Sequence, residues 1–104
     1  HGMAVALTAP AAFELTYAGA PERHDRLAAL LSGEASTAGP TALSDVVRSL
    51  MRDLEVPARL GDVGFDAGDV DTLVEGSLRQ QRLLATAPLE VGAAELERVF
   101  RASL

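Results

Sequence analysis

Two histidines, one small-residue loop and a scatter of carboxylates are the groups in this chain that could carry chemistry, and their spacing limits what each can do. His1 stands beside Gly2 at the head of an apolar run. An imidazole next to a residue without a side chain can be approached closely by an ion or a ligand. His24 is separated from it by that whole run and by the Gly19-Ala20-Pro21 break, so the two cannot share a helix face as a metal-binding pair. The stretch Gly33-Glu34-Ala35-Ser36-Thr37-Ala38-Gly39 lacks the lysine and the strand-to-helix setting of a phosphate loop. No hydroxyl is specified as lying within reach of a histidine base. Glu95 and Glu97 point to different helix faces and read as solvated charges. Spacing alone therefore describes a helical domain without a complete active site.

The elements that must position these residues follow from periodicity and breakers. Val5, Leu7, Ala9, Ala12, Phe13 and Leu15 cover most of a helical wheel, which predicts a buried helix near 2–18, kinked or restarted at Pro10. Pro21 suits the first position of a second helix, near 21–32, with Leu27, Leu30 and Leu31 as its inner stripe and His24 solvated on the other face. Ser32 to Pro40 is a loop. Leu43, Val46, Val47, Leu50, Met51 and Leu54 give the clearest amphipathic helix, near 41–54. Val56, Leu60 and Val63 pin an extended connection to the core. Asp66 caps a fourth helix near 67–85, with Asp69 in its first turn and Gly76 weakening its middle. Leu96, Val99, Phe100 and Leu104 face inward from a last helix near 93–103. The expectation is one all-α domain of about five helices spanning residues 1–104.

Composition narrows the partners. Nine basic residues, all arginine, face fifteen acidic ones, a net charge of −6, which disfavours nucleic acid and anionic membranes. Absence of cysteine removes disulfides and thiolate chemistry and suits a reducing compartment. The first apolar run lacks a basic leader and is interrupted by Glu14, so it reads neither as a secretory signal nor as a membrane span, and a cytoplasmic protein is expected.

The order of landmarks resembles the C-terminal helical region of the iron-containing alcohol dehydrogenases. His1-Gly2 with Ala6-Leu7-Thr8-Ala9-Pro10 is similar to the helix that opens with a His-Gly pair in that family. Ala20-Pro21-Glu22-Arg23 with Arg26-Leu27-Ala28 resembles its next helix. Leu54-Glu55-Val56-Pro57 with Leu60, Asp62, Val63 and Gly64 resembles its connection of leucine, glycine, apolar residue and proline, then leucine-x-aspartate-x-glycine. Pro88-Leu89 and the final helix also correspond.

The resemblance implies a C-terminal piece of a two-domain enzyme whose N-terminal α/β domain, absent here, binds NAD(P). It also implies a divalent metal, Fe2+ or Zn2+, held between the domains by one aspartate and three histidines. His1 corresponds to the last of these ligands, and the other three would lie upstream. The family's Asn-Pro-Arg is replaced by Ala85-Thr86-Ala87, which leaves subfamily and substrate open, a maleylacetate reductase-type enzyme included. Residues 81–85 would border the substrate pocket. Alone, the chain is expected to be no enzyme and to hold neither metal nor nicotinamide. The first helix, around Val5 to Phe13, would be bare or buried in a homo-oligomer. The reading from another class is a free-standing helical interaction domain in which His1 has no role.

Overall fold

Apolar density carries the first helix straight through its proline. In the structure, a computed structural model that describes residues 2–104, α1 runs from Gly2 to Thr16 with Pro10 inside it and buried. A 3-10 turn, Tyr17–Gly19, ends it. Helix α2 (Pro21–Ser32) begins on its proline and stops at Gly33, which takes the left-handed conformation at φ 76°. Helices α3 (Ala42–Asp53), α4 (Val70–Leu78), α5 (Gln81–Leu84) and α6 (Ala93–Ala102) follow, with 3-10 turns at Leu60–Val63 and Ala67–Asp69. No strand occurs among the described residues. The chain is all-α, as the periodicity predicts.

Packing runs from neighbour to neighbour: α2 on α3, α3 on α1, α1 on α6, and α6 on α4. Helix α1 is the middle of that row. The Cα extents, 39 × 31 × 19 Å, describe a slab. With a helix about 10–12 Å across, 19 Å is at most two helices deep. Leu7, Ala11, Leu43, Met51, Leu60, Val70, Leu96 and Val99 form the buried core. The C-terminus is tied in by Leu60 N–H donating to Ser103 O at 2.7 Å, and Ser103 Oγ donates to Val99 O at 2.7 Å.

Three details depart from expectation. The helix near 67–85 is broken. Its capping is as predicted, with Gly68 N–H donating to Asp66 Oδ1 at 2.8 Å and Asp66 N–H to Asp69 Oδ2 at 2.9 Å. The chain then leaves helical geometry at Gln80 (φ −92°, ψ 48°) before resuming as α5. Gly76-Ser77 are poor helix formers just before that break. Secondly, the leucine stripe of α2 faces outward, Leu30 being 70% exposed, while the fully buried residue is Ala28. A small side chain there lets α2 approach α3 closely, which three leucines would prevent. Thirdly, Val63 is exposed, so Leu60 alone of that connection's apolar residues is fully buried.

The α1–α2 corner needs its glycine. A Cβ on Gly19 would lie 2.5 Å from Pro88 O and 3.2 Å from Leu89 Cβ. The absence of a side chain is what allows the segment before α6 to lie against the corner.

Candidate functional site

His1, the one residue expected to ligate a metal, lies outside the described residues. Gly2 opens α1, and a Cβ placed on it would meet nothing within 4 Å. The described residues therefore do not themselves require a glycine at this position.

From that end of α1 a groove of about 530 Å3 runs between α1, the α4–α5 break and α6. Leu96 and Val99 are its buried floor, and Val5 and Leu83, both more than half exposed, stand at its rim. Of residues 81–85, expected beside a substrate pocket, Leu83 and Leu84 line this groove, whereas Gln81 and Ala85 face a separate shallow depression with Leu89 and Glu90. Two further residues of this segment line the wall, Ser77 within α4 and Gln80 at the break. Ser77 belongs to the inner stripe expected of an uninterrupted helix, whereas Gln80 stands where the helix breaks.

Hydrogen bonding leaves those two side chains available. Nearby, Arg79 Nη2 donates to Glu75 Oε1 at 2.8 Å, the Gln81 amide donates to Leu78 O, and Thr86 Oγ1 donates to Leu83 O at 2.7 Å. None of these bonds engages the Ser77 hydroxyl or the Gln80 amide. Among the described residues no charged side chain lines the groove.

The opposite end of α1 is occupied by polar clusters that hold structure. Ser44, wholly buried, donates from Oγ to Glu14 Oε1 at 2.6 Å, and Arg48 Nη1 donates to the same oxygen at 2.7 Å. Burial alone would raise the Glu14 carboxyl. The hydrogen bonds from Ser44 and Arg48, with the Arg48 charge, outweigh it and hold the group below its ordinary value. The signal for this cluster was present in the sequence: a carboxylate inside an apolar helix needs a partner.

His24 is not solvated. Its Nδ1 lies 2.7 Å from Ala20 O and its Nε2 2.8 Å from Thr16 Oγ1. A carbonyl oxygen that near requires the proton on Nδ1, as donor. The rings of Phe13 and Tyr17 meet the imidazole edge-on at 6.2 and 5.8 Å. Beside it, Tyr17 Oη donates to Asp25 at 3.0 Å and Gly39 N–H donates to Asp25 Oδ1 at 2.9 Å, which ties the 33–41 loop to the corner. Burial and then the neighbouring Asp25 carboxylate push the Tyr17 hydroxyl above its ordinary value. His24 thus fastens α2 to α1, with both ring nitrogens engaged within the chain.

Among the described residues no group of three or more His, Cys, Asp or Glu side chains could hold a metal ion. No described helix is long and apolar enough to cross a membrane.

Comparison with known proteins is consistent from end to end. Residues 1–104 match the family described as Fe-containing alcohol dehydrogenase family, C-terminal. The mitochondrial hydroxyacid-oxoacid transhydrogenases of Bos taurus and Xenopus laevis are each 37% identical over 109 and 108 residues, covering all of this chain. The probable mitochondrial hydroxyacid-oxoacid transhydrogenase of Dictyostelium discoideum is 35% identical over 108 residues. The chain spans 23% of the length of the first two and 20% of the third. No solved structure matches it.

Proposed function

Because this chain belongs to the iron-containing alcohol dehydrogenase family and corresponds to its C-terminal part, we propose that it is a C-terminal helical part of a two-domain oxidoreductase acting on a hydroxy acid. The observation that carries the reading is the match over the whole chain, from the His1-Gly2 pair to the last helix. The relatives favour a hydroxy acid over a maleylacetate-type substrate, and the full-length match favours an enzyme part over a free-standing interaction domain.

In this reading His1, as a neutral imidazole, is one ligand of a divalent iron or zinc. When bound, such a metal would supply Lewis-acid polarisation of an alcohol oxygen and an NAD(P) nicotinamide would supply a hydride acceptor. The described residues do not form a metal site by themselves. A site of about three protein ligands would therefore need groups from outside this chain. What this chain contributes beyond His1 is a wall. Val5, Thr8, Leu83 and Leu84 exclude water from one side of the reacting end and help orient the substrate against it.

Residues 2–5 are all exposed, and two of them, Met3 and Val5, are large and apolar. Met3 also borders an apolar cleft with Leu50 and Leu54. We assign this face to the nucleotide-binding domain, with contact to a second copy as the competing occupant. We keep a cytoplasmic setting as our reading. The relatives named above carry "mitochondrial" in their names, and cell fractionation distinguishes the two.

The test uses the longer protein that includes the nucleotide-binding domain. His1→Ala should lower metal retention strongly and abolish most alcohol oxidation. His24→Ala should reduce thermal stability yet leave metal per folded molecule unchanged. Metal content by mass spectrometry and nicotinamide absorbance read the two effects separately. Normal metal content in the His1→Ala protein would remove His1 from the site.

A further inference from the structure

We infer that the outer face of α2 is a contact with a second copy of this chain, antiparallel about a two-fold axis, with leucines at its centre and an Arg23–Glu34 ion pair at each end. The contact does not depend on the reaction proposed above.

Helix α2 ends the packed row, resting on α3 and on the 3-10 turn at Tyr17–Gly19. Ala28 is buried on its inward face, while Leu30 is 70% exposed, Leu31 55% and Leu27 40% on the outward one. The 33–41 loop folds back to Asp25, where Gly39 N–H donates to Oδ1, and leaves these leucines open. Three leucines on one short helix lose their water only against another surface.

Charge selects the occupant. Arg23 lies near the start of α2, at the positive end of the helix dipole, and α2 has no basic residue in its last turn. A cation is favoured at the other, C-terminal end. Among the described residues no ion pair engages Arg23 or Glu34. Both stand four residues outside the pair Leu27 and Leu30, Arg23 before it and Glu34 after it. A two-fold axis between those leucines lays Leu27 of each copy on Leu30 of the other. The same rotation sets Arg23 of each copy beside Glu34 and the last carbonyls of α2 in the other. A parallel pair would put Arg23 against Arg23, and an anionic membrane is opposed by the net charge of −6. The face is complementary to itself.

Three leucines a side make a contact of the small, transient class, below about 1,200 Å2. The charge of −6 on each copy opposes it further.

Sedimentation equilibrium of the 104-residue chain from about 10 μM to about 1 mM spans the affinity of such a contact. The mass should rise toward that of a dimer across the range. Leu30→Ser should weaken association at least about thirtyfold, since both copies lose a central leucine. Arg23→Glu and Glu34→Arg should each weaken it about tenfold, because either change sets like charges together at both ends. An equimolar mixture of those two variants should regain the original mass, since one copy then carries two acids and the other two arginines at the paired positions. Circular dichroism checks that each variant keeps its helices. A chain that stays monomeric overturns the inference, as do normal association of Leu30→Ser and a mixture no heavier than its components. In the longer protein, hydrogen exchange is followed at residues 23–34. Protection that grows with concentration supports the contact; protection independent of concentration means that the rest of the polypeptide covers α2, which overturns it.

Discussion

The two ends of α1 obey opposite rules. Residues 2–5, Gly-Met-Ala-Val, are all exposed, whereas none of residues 6–17 is, although these include Glu14, Thr16 and Tyr17. Apolar groups face solvent at the start of the helix and a carboxylate is partly shielded near its end. The far end is settled within this chain: Ser44 and Arg48 satisfy Glu14, and His24 receives Thr16. The near end has no such partners here. A slab only 19 Å thick cannot cover every face of its central helix. Where the slab is open, apolar residues such as Met3 and Val5 face solvent.

Truncating α1 on either side of this divide gives the largest expected contrast. Leu7 is in the buried core, so Leu7→Ala should cost about 2–5 kcal/mol of unfolding free energy. Val5→Ser, two residues earlier, should stay within about 0.5 kcal/mol, as surface substitutions do. Urea denaturation of the two variants measures both. A large loss from Val5→Ser would show that the first turn is covered in solution, and the contrast would fail.

Next in size is the corner that closes the far end. Gly19→Ala puts a Cβ into the Pro88 carbonyl, a backbone atom that cannot swing aside. Relief requires the 85–92 segment to shift, at a cost of about 1–3 kcal/mol. Leu84 and Thr86 border the groove, so its shape should change together with stability. A stable Gly19→Ala protein with an unchanged groove would mean that the corner yields elsewhere.

The acid limb of stability tests the polar lock. The Glu14 carboxyl is held below its ordinary value of 4.5 in the folded chain. A group of lower folded than unfolded pKa binds fewer protons when folded. Its contribution is therefore full above about pH 4.5 and is lost as pH falls through the lower, folded value. Glu14→Gln should flatten that part of the stability profile. Tyr17 acts in the opposite sense, because its folded value is raised: its contribution is full below the ordinary value of 10.0 and fades as pH rises beyond it. Denaturant midpoints across pH measure both limbs.

The same divide explains what could be read in advance. Helix positions, the Asp66 cap and the inward face of α6 were legible, because they depend on local propensity and on an apolar stripe with polar flanks. The face of α2 was not. Leu27, Leu30 and Leu31 have helical spacing, but so do His24 and Ala28, and spacing does not say which face meets a neighbour. Packing chose the small residue and the hydrogen-bonding one. Glu14 needed a partner that only tertiary structure could name, thirty residues away at Ser44. The break at Gln80 had only Gly76 as a local sign. His1 rests on resemblance, since one imidazole has no spacing to read.

The smallest effect concerns the end of α3 and should be a gain. Glu55 is the only described residue other than glycine with positive φ, at 55°. It sits just past the helix, where Glu55 N–H donates to Arg52 O at 3.1 Å and Val56 N–H to Met51 O at 3.2 Å. That pair of bonds is the Schellman arrangement, which places its first residue beyond the cap in the left-handed region and favours glycine there. The resembling family pattern has glycine at this position, between leucine and an apolar residue. A β-carbon in that region costs about 1–2 kcal/mol. Glycine's greater freedom in the unfolded chain offsets part of that gain. Glu55→Gly should therefore stabilise the chain by about 0.5–1 kcal/mol without moving α3, while Glu55→Ala, which keeps the β-carbon, should not. Thermal midpoints of the two variants separate backbone strain from loss of the carboxylate: equal shifts would place the effect on charge and remove the strain argument.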